Sequence, residues 1–207
     1  MTSDDFIAGF DRALRTLTST VSPQRPYPAE DRPEIPLSPE ERRHSSGLMR
    51  VNHTGEVCAQ ALYSAQALVA HNPEIKHRFA SAAREEEDHL AWTQQRLAEL
   101  GARTSFANPF WYFGSFAIGL AASIGGDRSN LGFVAETERQ VEQHLTEHMA
   151  ELPHSDARSR AVVAAMRDDE ARHGASARDA GASDLPGPVR ALMRATAKLM
   201  TITAYRF

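Results

Sequence analysis

The chain of 207 residues is 42% hydrophobic and 24% charged, which is enough apolar material to bury one sizeable core without disulfides. Its formal charge of −4 supplies no global basic field of the kind that draws a protein to nucleic acid, so no nucleic-acid partner is expected. A single cysteine, Cys58, and a start, MTSDDFIAGF, that lacks a basic region followed by an apolar run point to a reducing cytoplasm.

In chain order, residues 1–20 read as a short amphipathic helix with Phe6, Phe10, Leu14 and Leu17 on one side. Between Val21 and Pro39 lie six of the eleven prolines, a composition that blocks helix and favours an extended linker, here residues 21–38. The folded domain is expected over 39–207. Punctuation by Asn72-Pro73, Gly101, Pro153 and Gly181 predicts helices at about 39–71, 74–100, 128–152, 156–180 and 186–205, with an apolar segment at 106–125. With no convincing alternating strand, the fold class is all-α, a helical bundle with additional amphipathic helices.

The helix registers carry the functional signal. In the second long helix, Ile75, Phe79, Ala82, Glu86, His89, Thr93 and Leu97 are spaced three or four apart, so Glu86 and His89 occupy a core stripe. The 156–180 helix repeats the pattern with Val163, Met166, Glu170, His173 and Ala177. Glu85, Asp88 and Asp168 are expected on the opposite, solvated faces. Glu138 sits in the stripe of the 128–152 helix, and Glu56 in a less tidy stripe of the 39–71 helix that also holds Tyr63.

An uncompensated charge on a core stripe costs several kcal/mol, on the order of the penalty for burying an ion. Two Glu-x-x-His pairs, with one further Glu from each of two other helices, are the ligand set of a dinuclear metal site in a four-helix bundle. Glu56 precedes Glu86 by 30 residues and Glu138 precedes Glu170 by 32, so the halves of the chain make matched contributions. Four carboxylates and two neutral imidazoles carry a charge that two divalent ions cancel. Oxygen-rich ligation with two imidazoles suits iron or manganese better than a structural zinc site, and two iron ions are the expected cofactor. A lone Glu-x-x-His is common on ordinary helices; the constellation, not either copy, carries the inference. His144 lies six residues beyond Glu138, which suits a place beside the ligands or facing substrate. His148 reads as a polar flank, His53 is ambiguous, and Cys58 reads as a small core residue, since no base is spaced to activate it.

The stretches LMRVNHTGEVCAQALYSAQ, EEEDHLAW, VAETERQVEQHL and RDDEARHG together resemble the demethoxyubiquinone hydroxylases, ferritin-like di-iron monooxygenases of ubiquinone biosynthesis. The NHTGEV block is the most specific of these, and the resemblance covers roughly residues 46 to 207. It implies Glu56, Glu86, His89, Glu138, Glu170 and His173 as iron ligands, the six that the stripes select. It also implies a polyprenylated methoxy-benzoquinol substrate, O2 as co-substrate, and NADH or the quinol itself as electron donor. Some members have a His-Tyr pair where this chain has His144-Leu145, leaving His144 as the candidate for electron transfer.

Residues 104–126 carry no charge. A transmembrane crossing there is excluded by topology, because it would leave half of the ligands on each side of the bilayer. An interfacial segment that admits an isoprenoid tail, with Trp111 and Tyr112 at one end, is expected instead. Arg190, Arg194, Lys198 and Arg206 in the final helix add a basic contact for anionic headgroups. The expected placement is peripheral, on the cytoplasmic face of the cell membrane, with other ubiquinone-synthesis proteins as partners. Two competing readings are a different ferritin-like di-iron protein, which would not need the apolar segment, and a non-catalytic lipid-binding or scaffolding role, which would tolerate loss of the ligands.

Overall fold

The computed structural model describes residues 3–18 and 22–207, with side chains from residue 9 onward. The expected contact of Phe6, residues 1, 2, 19 and 20 of the N-terminal segment, and Val21 of the proline-rich stretch lie outside the described residues. The described residues form seven α-helices: α1 (Ser3–Thr18), α2 (Pro39–Val69), α3 (Pro73–Glu99), α4 (Asn108–Ala122), α5 (Asp127–Glu151), α6 (Ala157–Asp179) and α7 (Gly187–Arg206). No strand occurs among the described residues.

The boundaries follow from local chemistry. Ser38 and Glu41 form a reciprocal capping box at the start of α2, with Pro39 in the first turn. Asn72 accepts from the Glu74 amide to start α3, and Asp156 accepts from the Ser159 amide to start α6, each such cap being worth about 1 kcal/mol. Gly101 (φ 68°) and Gly181 (φ 96°) end α3 and α6 in the left-handed region that glycine adopts without strain.

Short connections make α2 and α3, and α5 and α6, antiparallel pairs that pack together as an all-α, ferritin-like bundle. Two of the three apolar clusters draw on all four of these helices. One contains Leu48 and Met49 of α2, Trp92 and Leu97 of α3, Leu145 of α5 and Val163 and Met166 of α6. The other contains Tyr63 and Ala67, Phe79 and Ala83, Leu131 and Val134, and Ala177 of the same four helices. Glu56, Glu86, His89, Glu138, Glu170 and His173 fall between the two, so the polar site is flanked above and below by apolar packing.

Helix α4 links the two pairs by crossing the outer face of α2. A Cβ at Gly119 would stand 2.9 Å from Cβ of Ala65 and 3.1 Å from the Leu62 carbonyl oxygen, so only glycine permits this approach. Trp111 and Tyr112 turn inward and are buried; the outward residues are Phe106, Phe110 and Phe113, 76%, 71% and 62% exposed. The two aromatic residues expected as interfacial anchors are thus packing residues, and the phenylalanines face out. No helix of the described residues is long and apolar enough to cross a membrane. Helix α7 docks on α2 through its last turn, where Tyr205 Oη meets His44 Nδ1 at 2.8 Å and Arg50 Nη1 donates to the Tyr205 carbonyl, leaving Leu192, Leu199 and Ile202 exposed. Of the apolar side of α1, Leu17 packs with Ala13 against Val57, Leu90 and Tyr112, while Phe10 and Leu14 stay exposed.

Residues 22–38 follow the irregular path their prolines dictate, but they are pinned to the bundle. Ala29 is fully buried. Glu34 pairs with Arg96 and Arg158, and the buried Arg96 guanidinium also bonds Glu99, Asp156 and Ser159.

Candidate metal centre

Each of the four bundle helices contributes a carboxylate at mid-height because its core stripe passes through the bundle centre there. The six residues form two overlapping clusters whose candidate ligand atoms all lie within 4.8 Å of one another: Glu56, Glu86, His89 and Glu170 in one, Glu86, Glu138, Glu170 and His173 in the other. Glu86 and Glu170 belong to both, which is where carboxylates able to bridge two ions must stand. All six are buried, and the two imidazole centroids are 6.5 Å apart.

His89 Nδ1 faces Glu86 at 3.0 Å, Glu170 at 3.3 Å and Glu56 at 3.7 Å. His173 Nδ1 faces Glu86 at 3.1 Å and Glu170 at 3.4 Å. The opposite edge of each ring is held by an acid on the facing pair of helices: His89 Nε2 lies 2.8 Å from Asp169 and His173 Nε2 lies 3.1 Å from Glu85. An ionised carboxylate only accepts, so each Nε2 is a donor, and Nδ1 points inward. Tyr63 Oη donates to Glu138 in a short hydrogen bond.

The electrostatics are those of a cluster built for cations. Burial, reinforced by neighbouring carboxylates, pushes Glu56 and Glu138 well above the usual carboxylate range. Burial opposes the charged forms of His89 and His173, yet the surrounding acids hold both well above the ordinary histidine value. Burial likewise opposes the charge on Asp169, but hydrogen bonds from His89, Arg25 and Arg172 keep it well below its usual range. Four acids in one dry core leave protons as the only counter-charge until a cation replaces them.

Residues 43–204 match the family described as Ubiquinone biosynthesis protein COQ7. The chain belongs to that family. It is similar to the 3-demethoxyubiquinol 3-hydroxylase of Cupriavidus metallidurans, with 58% identity over 205 residues that cover 98% of this chain and 99% of that one. The protein of the same name from Burkholderia cenocepacia is 58% identical over 206 residues, 99% of each chain. That of Nitrosomonas europaea is 55% identical over 202 residues, 98% of this chain and 97% of the other.

The structure brings all six expected residues together, and His144 is not among them. It lies on α5, half-buried, with its ring 3.9 Å from that of His148, and burial lowers its pKa. His148 is 5% exposed, its Nδ1 has no partner, and burial, with His144 and His44 nearby, lowers it to about 3. His53 is buried one turn before Glu56, 3.4 Å from the Asn108 amide, and burial lowers it to about 4. The Cys58 thiol is pushed up to about 11 by burial, which removes the thiolate a nucleophile needs.

Two expectations are corrected. Asp88 is not solvated: it is buried beneath residues 22–38, accepting from the Gln24 and Arg25 amides and the Arg25 side chain. Glu85 is partly exposed but turned to His173. Asp168, 70% exposed and paired only with its neighbour Arg167, is the one of the three that stands on the outer face. Asp169 is the functional neighbour that periodicity did not select, while Tyr63 lay on the core stripe without a role assigned to it. The signal for Asp169 was faint: each Glu of the two Glu-x-x-His motifs is directly preceded by an acid, Glu85 and Asp169.

Proposed function

We infer that this chain is an O2-dependent di-iron monooxygenase that hydroxylates the ring of a polyprenylated demethoxyubiquinol in ubiquinone biosynthesis. The observation that carries the reading is the pair of overlapping four-residue clusters sharing Glu86 and Glu170, in a chain whose relatives are named 3-demethoxyubiquinol 3-hydroxylase. The residues fit a pair of ions. Glu86 Oε1 and Glu170 Oε2 are buried and converge on His173 Nδ1 at 3.1 and 3.4 Å without forming a hydrogen bond, a set of inward-facing donors that would suit an ion. Glu56 and His89 would hold one ion, Glu138 and His173 the other, with Glu86 and Glu170 between them.

What iron supplies when bound is redox activation of dioxygen, chemistry that no side chain provides. The protein supplies the rest. Asp169 and Glu85 fix the rings of His89 and His173, and Tyr63 holds one oxygen of Glu138. A cavity of about 360 Å³ reaches Tyr63 and His173, with Phe79, Leu131, Val134 and Ala177 on its apolar wall and Arg78 and Glu85 among its polar lining. Electrons come from NADH or from the quinol.

The exposed Phe106, Phe110 and Phe113, together with α7, are the surface we assign to a peripheral contact with the cytoplasmic face of the membrane. The start of α4 and the end of α7 share one end of the molecule, where the Phe106 amide donates to the Phe207 carbonyl at 3.2 Å. A long-tailed substrate dissolved in lipid requires such a face. The decisive experiment is quinone analysis of a strain lacking the corresponding gene, complemented with the wild type or with Glu170→Ala. Restoration by the wild type and accumulation of the demethoxy precursor with the variant are expected. Equal restoration by both would leave only a scaffolding role.

A further inference from the structure

The family match begins at residue 43, yet a residue well before it reaches the metal cluster. Arg25 Nη1 lies 2.7 Å from Asp169 Oδ2, the same oxygen that accepts from His89 Nε2 at 2.8 Å. Its Nε lies 2.6 Å from Asp88 Oδ2, while the Gln24 and Arg25 amides donate to Asp88 Oδ1. The guanidinium carbon stands 4.7 Å from the ring centroid of Trp92, and that indole lies 5.4 Å from the His89 ring. Arg25 therefore touches both groups that fix His89: the carboxylate on its Nε2 edge and the indole at its side. Both Asp169 and Trp92 are buried.

We propose that Arg25 is a positioning residue for one of the two metal positions. From outside the bundle it clamps Asp169, and through Asp169 it fixes the ring of His89. The proposal rests on the reading of the cluster as a metal centre. Asp169 also receives Arg172, but on its other oxygen. Without Arg25, Oδ2 keeps only His89 and Oδ1 only Arg172, so the carboxylate loses its tie to the fixed segment outside the bundle. Among the described residues, the second half of the site is braced less closely. His173 is held by Glu85, whose side chain is 37% exposed and whose cationic neighbour Arg172 is 3.8 Å away. The two metal positions, alike in their ligands, thus differ in how firmly the histidine is braced, and the difference lies in residues 22–38.

Loss of a residue that orients a ligating histidine typically weakens metal binding by about 10–100-fold. Arg25 acts one step further out, so about tenfold is expected, confined to one position. The full-length, metal-free chain is titrated anaerobically with Fe(II) alone against a competing chelator, and the two dissociation constants are read for the wild type, Arg25→Gln, Arg25→Lys and Glu34→Gln. Arg25→Gln should weaken one step about tenfold and leave the other unchanged. Arg25→Lys, which keeps the charge without the two-pronged geometry, should recover part of the loss at that same step, and it carries the test if Arg25→Gln does not fold. Glu34→Gln loosens the same segment at Arg96 and Arg158 without touching Asp169, and should bind as the wild type does. The proposal is overturned if neither step changes in the Arg25 variants, if both weaken equally, or if Glu34→Gln reproduces the effect. A wild-type chain that takes up no iron overturns the metal reading itself, and this inference with it.

Discussion

His148 offers a test of how the bundle handles charge away from the metal cluster. It is 5% exposed, and burial, with repulsion from His144 and His44, lowers its pKa from the ordinary 6.5 to about 3. A pKa lower in the folded than in the unfolded chain means that the unfolded state binds more protons, so stability is full above pH 6.5 and is lost as pH falls towards 3. Each unit of separation is worth about 1.4 kcal/mol. Between pH 7 and pH 5, where the unfolded histidine charges and the folded one does not, the loss from this side chain is about 2 kcal/mol. His148→Leu removes the effect at small cost at pH 7, because Nδ1 has no partner to lose. Denaturant unfolding of the metal-free wild type and variant at pH 7 and pH 5, followed by helical circular dichroism, isolates the difference because all other titrating groups are shared. The wild type should lose about 2 kcal/mol more than the variant over this interval. Equal losses would refute the assignment of His148 as a neutral buried residue.

Three further outcomes follow from the site and the surface. Glu138→Ala should lower the iron bound per chain and abolish hydroxylation while helical content survives, since the two apolar clusters on either side are untouched; full iron occupancy with normal turnover would remove Glu138 from the ligand set. Iron binding should release protons, because Glu56 and Glu138 are raised and the two imidazoles are held protonated in the metal-free cluster; binding enthalpies that do not depend on the buffer's ionisation enthalpy would contradict this. Replacing Phe110 and Phe113 with Asp should weaken binding to anionic vesicles, each charge costing up to about 2–3 kcal/mol if it must enter lipid. Iron content should be unchanged and a water-soluble short-tailed quinol still hydroxylated, whereas loss of iron would show these residues to be part of the bundle's support.

The bundle and its six central residues were legible because one rule governs both. A residue three or four places from an apolar neighbour on a long helix faces the core, and a charged residue at such a position marks a site. What periodicity could not place were residues whose position depends on another element. Asp169 follows Asp168 in the chain and looks no different from it, yet one is buried against His89 and the other is in solvent. Asp88 lies off the core stripe and was read as solvated; only the path of residues 22–38 covers it. The prolines of that segment exclude helix, but they carry no trace of Arg25 meeting Asp88 or of Glu34 meeting Arg96. In α4, Phe113 and Phe116 are equally apolar, and only the packing of α4 on α2 sends Phe116 against Val57 and Leu90 while Phe113 stays outside.

The crossed bracing of the two histidines has a mechanical consequence. His89 rises from α3 but is gripped by an acid on α6, and His173 rises from α6 but is gripped by an acid on α3. A slide of one helix along the other therefore cannot turn one imidazole alone; both rings rotate, as two gears on facing shafts would. The helix pair can relax only as a unit. A shift of one helix against the other thus reaches both halves of the site, whereas the loss of a single brace acts on its own ring.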